Sequence, residues 1–173
     1  MREAGIAFEA HPADISEDPY PHEAPVQYAL RLAREKAEKV AAKFPGHFIL
    51  GADTIVVVDK ENLGKPRDVR DAARMLRLLS GRPHEVTTAV SVIVPEKSPD
   101  TRSHTTKVYF RELREEEIQQ YIAGGEPMDK AGAYAIQGGA APWVVRLEGD
   151  YSNVVGLPMP LVTQMLKEGG FLN

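Results

Sequence analysis

One carboxylate stands in the middle of a strongly apolar segment. Asp53 lies within residues 48–66, which read Phe-Ile-Leu-Gly-Ala-Asp-Thr-Ile-Val-Val-Val-Asp-Lys-Glu-Asn-Leu-Gly-Lys-Pro. A run this rich in Ile and Val is typical of a buried strand. Burying a carboxylate costs free energy unless a cation pairs with it. Lys65 follows in a Gly-Lys-Pro turn, which is expected to return it towards Asp53. The pattern favours a functional site, and the alternative is a structural Asp bonded to backbone or to Lys65.

Three more side chains are candidates for the same chemistry. Thr54 follows Asp53 and points to the opposite face of the strand. Lys36 lies on a charged helix face, of a kind that is usually solvated. Glu17 lies in an acidic, proline-rich loop. None of the three is specific by itself.

The second half of the chain adds an amide and an imidazole. Gln137 precedes two glycines, and its amide has the donors and the acceptor that suit the edge of a base. His84 fits a general base, although a lone histidine is more often structural. The segment 126–132, Glu-Pro-Met-Asp-Lys-Ala-Gly, places acid beside base before a Gly-rich stretch. It fits either a site or a salt-bridged turn.

Composition and missing motifs narrow the chemistry. The chain has 173 residues, no cysteine and a formal net charge of -4, which excludes thiolate sites and argues against binding to a nucleic acid polymer. No apolar run approaches the roughly 20 residues that span a bilayer. The sequence contains no P-loop, dinucleotide fingerprint, nucleophile elbow or zinc-protease helix. Carboxylates with lysines then favour magnesium-assisted phosphate chemistry.

The elements that position these residues alternate between helix and strand. Apolar periodicity and Pro or Gly punctuation predict helices over 25–44, 68–80, 113–122 and 157–169, and strands over 6–10, 48–58, 85–94, 101–110 and 144–147. The Gly-rich stretch 132–139 is interpreted as a further strand and 151–153 as a turn. Residues 2–6 resemble the last turn of a helix, with Gly5 as its left-handed cap.

Taken together, the motifs resemble the Maf family of nucleoside triphosphate pyrophosphatases. The resemblance covers nearly the whole chain, and its parts are specific only jointly. They are Leu-Arg-Leu-Ala-Arg-Glu-Lys-Ala at 30–37, Gly-Ala-Asp-Thr at 51–54, Gly-Lys-Pro at 64–66, Leu-Ser-Gly-Arg-Pro-His at 79–84, Glu-Pro-Met-Asp-Lys-Ala-Gly-Ala-Tyr at 126–134, Ile-Gln-Gly at 136–138 and Asn-Val-Val-Gly-Leu-Pro at 153–158.

The resemblance implies a reaction and a metal. The reaction is cleavage between the α and β phosphates, which yields the monophosphate and pyrophosphate. Asp53 matches the catalytic proton acceptor that activates water. Glu17 and Asp53 match ligands of a divalent cation, Mg²⁺ or Mn²⁺.

The resemblance also implies how substrate is bound. Lys36 and Lys65 match phosphate-binding lysines. Thr54 and Gln137 match positions that select the base, and this pair is the one found in the branch acting on dTTP and UTP rather than on 7-methyl-GTP.

At the level of the molecule, the resemblance implies an α/β fold similar to inosine triphosphatases. A mixed, twisted central sheet is expected, flanked by helices, with two lobes around a nucleotide cleft. Residues 1–173 would form a single domain, part of a homodimer. The composition and the lack of a long apolar run separately favour a cytoplasmic protein that contacts neither membrane nor nucleic acid.

The chain departs from the family at its start. The Ser-x-Ser-Pro-Arg-Arg motif that cradles phosphates has no counterpart, so the domain is expected to be truncated at its N-terminus and its activity to be reduced. A catalytically impaired nucleotide-binding or septum-regulating protein is therefore the alternative function. A pyrophosphatase for a modified nucleotide such as 7-methyl-GTP is another.

Overall fold

A computed structural model describes residue 1 and residues 5–172 of the chain. Within these residues, the helices and strands include all four expected helices and four of the six expected strands. They are α1 Pro25–Ala41, β1 Ile49–Val58, β2 Glu61–Leu63, α2 Val69–Leu79, β3 Pro83–Ile93, β4 Asp100–Phe110, α3 Glu115–Ala123, β5 Val144–Glu148, α4 Tyr151–Val155 and α5 Met159–Glu168. Short 3₁₀ turns cover Glu126–Asp129, Ala131–Ala133 and Ala141–Trp143.

The strands form one five-stranded sheet in the order β2-β1-β3-β4-β5. The sheet is antiparallel and flanked by helices, so the expected α/β class is confirmed. Strands β1 and β2 form a hairpin in which Val58 pairs with Glu61. The two residues between them, Asp59 and Lys60, have φ of 49° and 70°, as a twisted two-residue hairpin turn requires.

The chain forms two compact units. The first contains Met1–Asp53, Ala89–Ser103 and Met159–Asn173, and the second contains Thr54–Thr88 and His104–Pro158. Strands β1, β3 and β4 each contribute residues to both units.

In the first unit, helix α1 packs closely on strand β1. Its inner face is buried through Ala29, Leu32, Ala33 and Ala37. Small residues on this face let the helix approach the strand, and Gly51 on the strand completes the fit. A Cβ atom at Gly51 would lie 2.4 Å from the carbonyl oxygen of Ala33 and 2.7 Å from the amide nitrogen of Ala37.

In the second unit, a cluster of rings fills part of the core. The rings of Phe110 and Tyr134 lie 4.8 Å apart, centroid to centroid, in an edge-to-face arrangement, and those of Tyr121 and Trp143 lie 4.7 Å apart. Helix α2 adds a leucine-rich face and is capped by Asp68, whose side chain accepts a hydrogen bond from the amide of Asp71 at 2.8 Å. The ring contacts pack the end of β4 against the turn that carries Tyr134, and helix α3 against Trp143.

Two expected strands are wrong. Residues 6–10 are irregular, because Ile6 alone is buried and the next four residues face solvent. Residues 132–139 form turns, and Gly132 has a φ of 68°, which an extended strand does not accommodate. A side chain at Gly132 would also meet Val56 at 2.9 Å.

Near the C-terminus, the expected turn over 151–153 is the start of helix α4. Asp150 begins this helix, since its carboxylate accepts a hydrogen bond from the amide of Ser152 at 2.8 Å. At the other end of the chain, the helical turn expected over 2–6 falls mainly on residues 2–4, which lie outside the described residues. Gly5 does have the positive φ, 70°, that such a cap requires.

Among residue 1 and residues 5–172, no helix has the length and apolar character needed to cross a membrane.

His84 is buried in the ring cluster of the second unit. Only 1% of it is exposed, its Nε2 shares a hydrogen bond of 2.8 Å with the hydroxyl of Tyr134, and its ring meets Phe110 edge-on at 4.9 Å. Burial lowers the pKa of His84 to about 4. This placement fits the structural alternative rather than a general base.

We expect the burial of His84 to make stability depend on pH. In the unfolded chain a histidine titrates near pH 6.5, so between pH 6.5 and about 4 the unfolded state binds a proton that the folded state does not. The contribution of neutral His84 to stability is therefore fully present above pH 6.5. As the pH decreases below 6.5, the free energy of unfolding decreases by about 1.4 kcal/mol per pH unit, and by on the order of 3 kcal/mol in all. Urea unfolding at several pH values measures this slope.

A matched variant separates His84 from the other titrating groups. His84→Gln keeps a hydrogen-bonding side chain but does not titrate, so the stability difference between wild type and variant should shrink as the pH falls. A difference that stays constant from pH 7 to pH 4.5 would show that His84 is not the group responsible.

Candidate active site

Two carboxylates and one ammonium meet in the first unit. The Nζ atom of Lys36 lies 2.6 Å from Oδ1 of Asp53 and 2.7 Å from Oε1 of Glu17. The exposed fraction of the side chain is 10% for Asp53, 20% for Lys36 and 41% for Glu17. Burial of the Lys36 amine opposes its charge, but the hydrogen bonds to Asp53 and Glu17 outweigh burial and raise its pKa. The amine therefore stays protonated between the two acids.

The close packing of α1 on β1 sets the position of this ion pair. Asp53 lies in β1 and Lys36 in α1, one residue before Ala37, the helix residue that faces Gly51. The helix face expected to be solvated thus carries a partly buried lysine. Lys36 thus gives Asp53 a cationic partner of the kind that its apolar strand requires.

The loop that carries Glu17 is fastened to α1 through Arg31. The guanidinium of Arg31 donates to both carboxylate oxygens of Glu23, at 2.6 and 2.7 Å, and lies 4.0 Å over the ring of Tyr20. The hydroxyl of Tyr28 donates to the backbone carbonyl of Glu17 at 2.7 Å. These contacts fix the loop, so that Glu17 reaches Lys36 from a segment without regular structure.

In the second unit, Thr54 belongs to a buried polar network. Its hydroxyl lies 2.9 Å from that of Thr88. The Thr88 hydroxyl donates to the backbone carbonyl of Asn153 at 2.9 Å, and the Thr88 amide donates to the Asn153 side chain at 3.2 Å. Both Thr88 and Asn153 are fully buried. The side chain of Thr54 is thus held by a hydrogen bond to Thr88, in addition to the position that strand β1 gives its backbone.

Lys65 and Gln137 lie in exposed turns of the second unit. The carbonyl of Gly64 accepts a hydrogen bond from the amide of Gly132 at 3.1 Å, which ties the Lys65 turn to the 3₁₀ turn at Ala131–Ala133. Of the two interpretations of residues 126–132, the ion pair of a salt-bridged turn is present, since Lys130 pairs with Asp129 at 3.0 Å. The pKa of Asp129 is lowered by Lys130 and further by the charge of Lys65.

Glu126 supports the turn that carries Gln137. Its carboxylate accepts a hydrogen bond from the amide of Gly139 at 3.0 Å. A Cβ atom at Gly138 would lie 1.5 Å from Oε1 of Glu126. The glycine is therefore required for the carboxylate to lie against the turn.

The acid pair fits a metal that arrives with phosphate. Across the part of the chain that the structure describes, no group of three or more His, Asp or Glu side chains converges to hold a metal. Glu17 and Asp53 nevertheless direct oxygens at one point, at present the Lys36 ammonium. Mg²⁺ is commonly bound by one or two carboxylates together with substrate phosphates and water.

Several residues that support Glu17 in the first unit or Thr54 in the second are not predicted from the sequence. Thr88 and Asn153 lie far from Thr54 along the chain, and Arg31 belongs to a helix face expected to be only solvated. The signals are weak: two adjacent threonines within a Val-rich strand, one tyrosine within the acidic, proline-rich loop and another in the helix that follows it. Such patterns become informative only when the packing is known.

Comparisons with known proteins agree with this architecture. The Maf-like protein family model matches residues 1–169. A protein of Citrifermentans bemidjiense is 53% identical over 173 residues, covering 99% of this chain and 90% of the relative. One of Koribacter versatilis is 52% identical over 172 residues (99% and 89%) and one of Symbiobacterium thermophilum is 45% identical over 171 residues (99% and 88%). All three carry the name dTTP/UTP pyrophosphatase. The chain belongs to the Maf family.

Proposed function

We propose that the chain is a nucleoside triphosphate pyrophosphatase that hydrolyses dTTP and UTP to the monophosphate and pyrophosphate. The observation that carries the proposal is the cluster of Glu17, Lys36 and Asp53, in which a mostly buried carboxylate is paired with an ammonium. The names of the relatives support the same reaction.

In the proposed reaction Asp53 acts as the general base. It removes a proton from water, the water oxygen bonds to the α-phosphorus, and the bond from that phosphorus to the oxygen of the β-phosphate breaks. Pyrophosphate leaves with the electron pair of that bond. The apolar strand around Asp53 keeps water away from its carboxylate, so the electrostatic interactions of the carboxylate are screened less and are stronger.

The charges needed by the triphosphate are supplied by the lysines and a metal. Lys36 and Lys65 would bind phosphate oxygens, and Glu17 with Asp53 would hold Mg²⁺ or Mn²⁺. When bound, the metal would neutralise part of the negative charge of the phosphates. Thr54 and Gln137 would contact the base. The proposal includes a homodimer, as the family resemblance implies. The homodimer would work in the cytoplasm, where it would limit the pools of these nucleotides.

Product analysis tests the proposal directly. The purified protein is incubated with dTTP, UTP, CTP, dGTP or 7-methyl-GTP, with Mg²⁺ or with a chelator, and pyrophosphate and phosphate are measured separately. We expect Mg²⁺-dependent pyrophosphate release from dTTP and UTP. Calorimetric binding of these nucleotides without pyrophosphate release would instead support a nucleotide-binding protein, and release chiefly from 7-methyl-GTP would move the chain to the other branch.

Disturbing the Gln137 turn should weaken substrate binding. In Gly138→Ala the new methyl group occupies the position of the Glu126 carboxylate, so Glu126 must leave the amide of Gly139. We expect the KM for UTP to rise by about fivefold, comparable with one lost hydrogen bond, with a small change in kcat. Steady-state kinetics measures both constants.

Two variants at Glu126 control this experiment. Glu126→Ala removes the same hydrogen bond and should reproduce the KM of Gly138→Ala, whereas Glu126→Gln keeps an acceptor oxygen and should remain near wild type. If the KM of Gly138→Ala were unchanged, the turn that carries Gln137 would not contribute to substrate binding.

A further inference from the structure

The buried network of the second unit fixes the direction of the Thr54 hydroxyl. Thr88 Oγ1 lies 2.9 Å from the backbone carbonyl of Asn153, and a carbonyl only accepts, so Thr88 must donate to it. A threonine hydroxyl has a single hydrogen. Thr88 Oγ1 therefore has only lone pairs left for Thr54, 2.9 Å away. The hydrogen of that bond comes from Thr54.

Asn153 holds this arrangement rigidly. Its Nδ2 donates to the carbonyl of Val86 at 2.9 Å and to the hydroxyl of Thr106 at 3.0 Å, while its Oδ1 accepts from the amide of Thr88 at 3.2 Å. The contact with the Val86 carbonyl requires the nitrogen on that side, so the amide cannot be flipped. Because Asn153 is fully buried, water does not compete for these groups.

Thr54 is only partly buried, and its hydroxyl faces a position without a side chain. A Cβ atom built at Gly156 would lie 3.5 Å from Thr54 Oγ1. With its one hydrogen given to Thr88, the Thr54 oxygen offers only lone pairs in any other direction. Towards a ligand it is an acceptor and not a donor.

We propose that Thr88 and Asn153 are positioning residues that select the base by making Thr54 an obligate acceptor. The inference rests on the proposed function. Uracil and thymine carry a hydrogen on the ring nitrogen between their two carbonyls, and Thr54 accepts that hydrogen. Cytosine has a bare lone pair at the same nitrogen, which faces the lone pairs of Thr54. The network thus favours bases with an imide N–H and rejects cytosine.

The test is the ratio of kcat/KM for UTP to that for CTP. We expect wild type to prefer UTP strongly, since a site built for one hydrogen-bond pattern rejects a base that lacks it. In Thr88→Val the Thr54 hydroxyl is free to turn and donate to cytosine, so the ratio should fall by at least about tenfold. The carbonyl of Asn153 keeps a partner in this variant, the amide of Gly156 at 3.0 Å.

Two variants of the same strand serve as controls. Thr88→Ser keeps the hydroxyl and should preserve the ratio. Thr87→Val removes a buried hydroxyl from the adjacent residue, which pairs with Thr105 at 2.8 Å, and should also preserve it. Their agreement with wild type would tie the effect to the direction of the Thr54 hydrogen rather than to lost polarity in β3.

The outcomes separate the inference from the proposed function. A wild-type protein that releases no pyrophosphate from UTP or dTTP refutes the function itself. The inference alone is overturned if active wild type hydrolyses CTP as well as UTP. It is also overturned if Thr88→Val lowers kcat/KM for UTP and for CTP by the same factor. If Thr88→Val does not fold, Thr54→Val replaces it. That variant should lower the UTP rate towards the CTP rate, and an unchanged UTP rate would contradict the inference.

Discussion

Asp53→Asn is expected to abolish nearly all pyrophosphate release from dTTP and UTP. An amide has almost the shape of a carboxylate but does not accept the proton of the attacking water, and such a proton transfer contributes about 10²–10⁴-fold to rate. The substitution also removes the charge that Lys36 contacts at 2.6 Å. The loss should therefore appear mainly in kcat, measured by pyrophosphate release at saturating substrate.

Asp59→Asn is the matched control for this experiment. Asp59 follows β1 directly, its side chain is 73% exposed and it pairs with Arg82 at 2.7 Å, so it loses only a surface ion pair. We expect its kcat to equal that of wild type. Equal turnover by Asp53→Asn and wild type would remove Asp53 from the mechanism.

Gly51→Ala should have the largest effect on stability. The added methyl group would lie 2.4 Å from the carbonyl oxygen of Ala33 and 2.7 Å from the amide nitrogen of Ala37. Both are backbone atoms, so helix α1 must move as a whole and Lys36 moves with it. Overpacking of this kind costs about 3 kcal/mol, which urea unfolding measures, and the displaced lysine should lower kcat/KM.

Gly64→Ala gives the comparison for stability. A Cβ atom at Gly64 meets nothing within 4 Å, so the free energy of unfolding should remain within about 0.5 kcal/mol of wild type. If Gly51→Ala changed the free energy of unfolding as little as Gly64→Ala, it would contradict the close approach of α1 to β1.

Local patterns were sufficient to predict the elements that hold the main candidates. The helix expected over 25–44 is Pro25–Ala41, and the strand expected over 48–58 is Ile49–Val58. Both depend on short-range signals, namely a proline at the helix start, apolar spacing and a run of β-branched residues. Asp53 was recognisable because its charge conflicts with its neighbours.

Contacts between distant segments were not predictable in the same way. The pairing of Lys36 with Asp53 depends on how closely α1 approaches β1, and Gly51 carries no signal of that distance in the sequence. The link from Thr54 through Thr88 to Asn153 joins three separate segments. The sequence predicts a strand over residues 132–139 because glycine permits both extended and left-handed backbone, and the packing against Val56 that decides between them has no signal in the sequence.

The double ion pair of Lys36 bears on preorganisation. Two carboxylates that approach each other repel, and a flexible site would have to overcome this repulsion each time it bound a ligand. Here the chain brings the acids together during folding, with its own ammonium between them. Under the proposed function, an incoming metal–nucleotide complex would exchange one cation for another, and the reordering would be confined to the Lys36 side chain. The affinity that would otherwise be lost in assembling the site is thereby retained for the substrate.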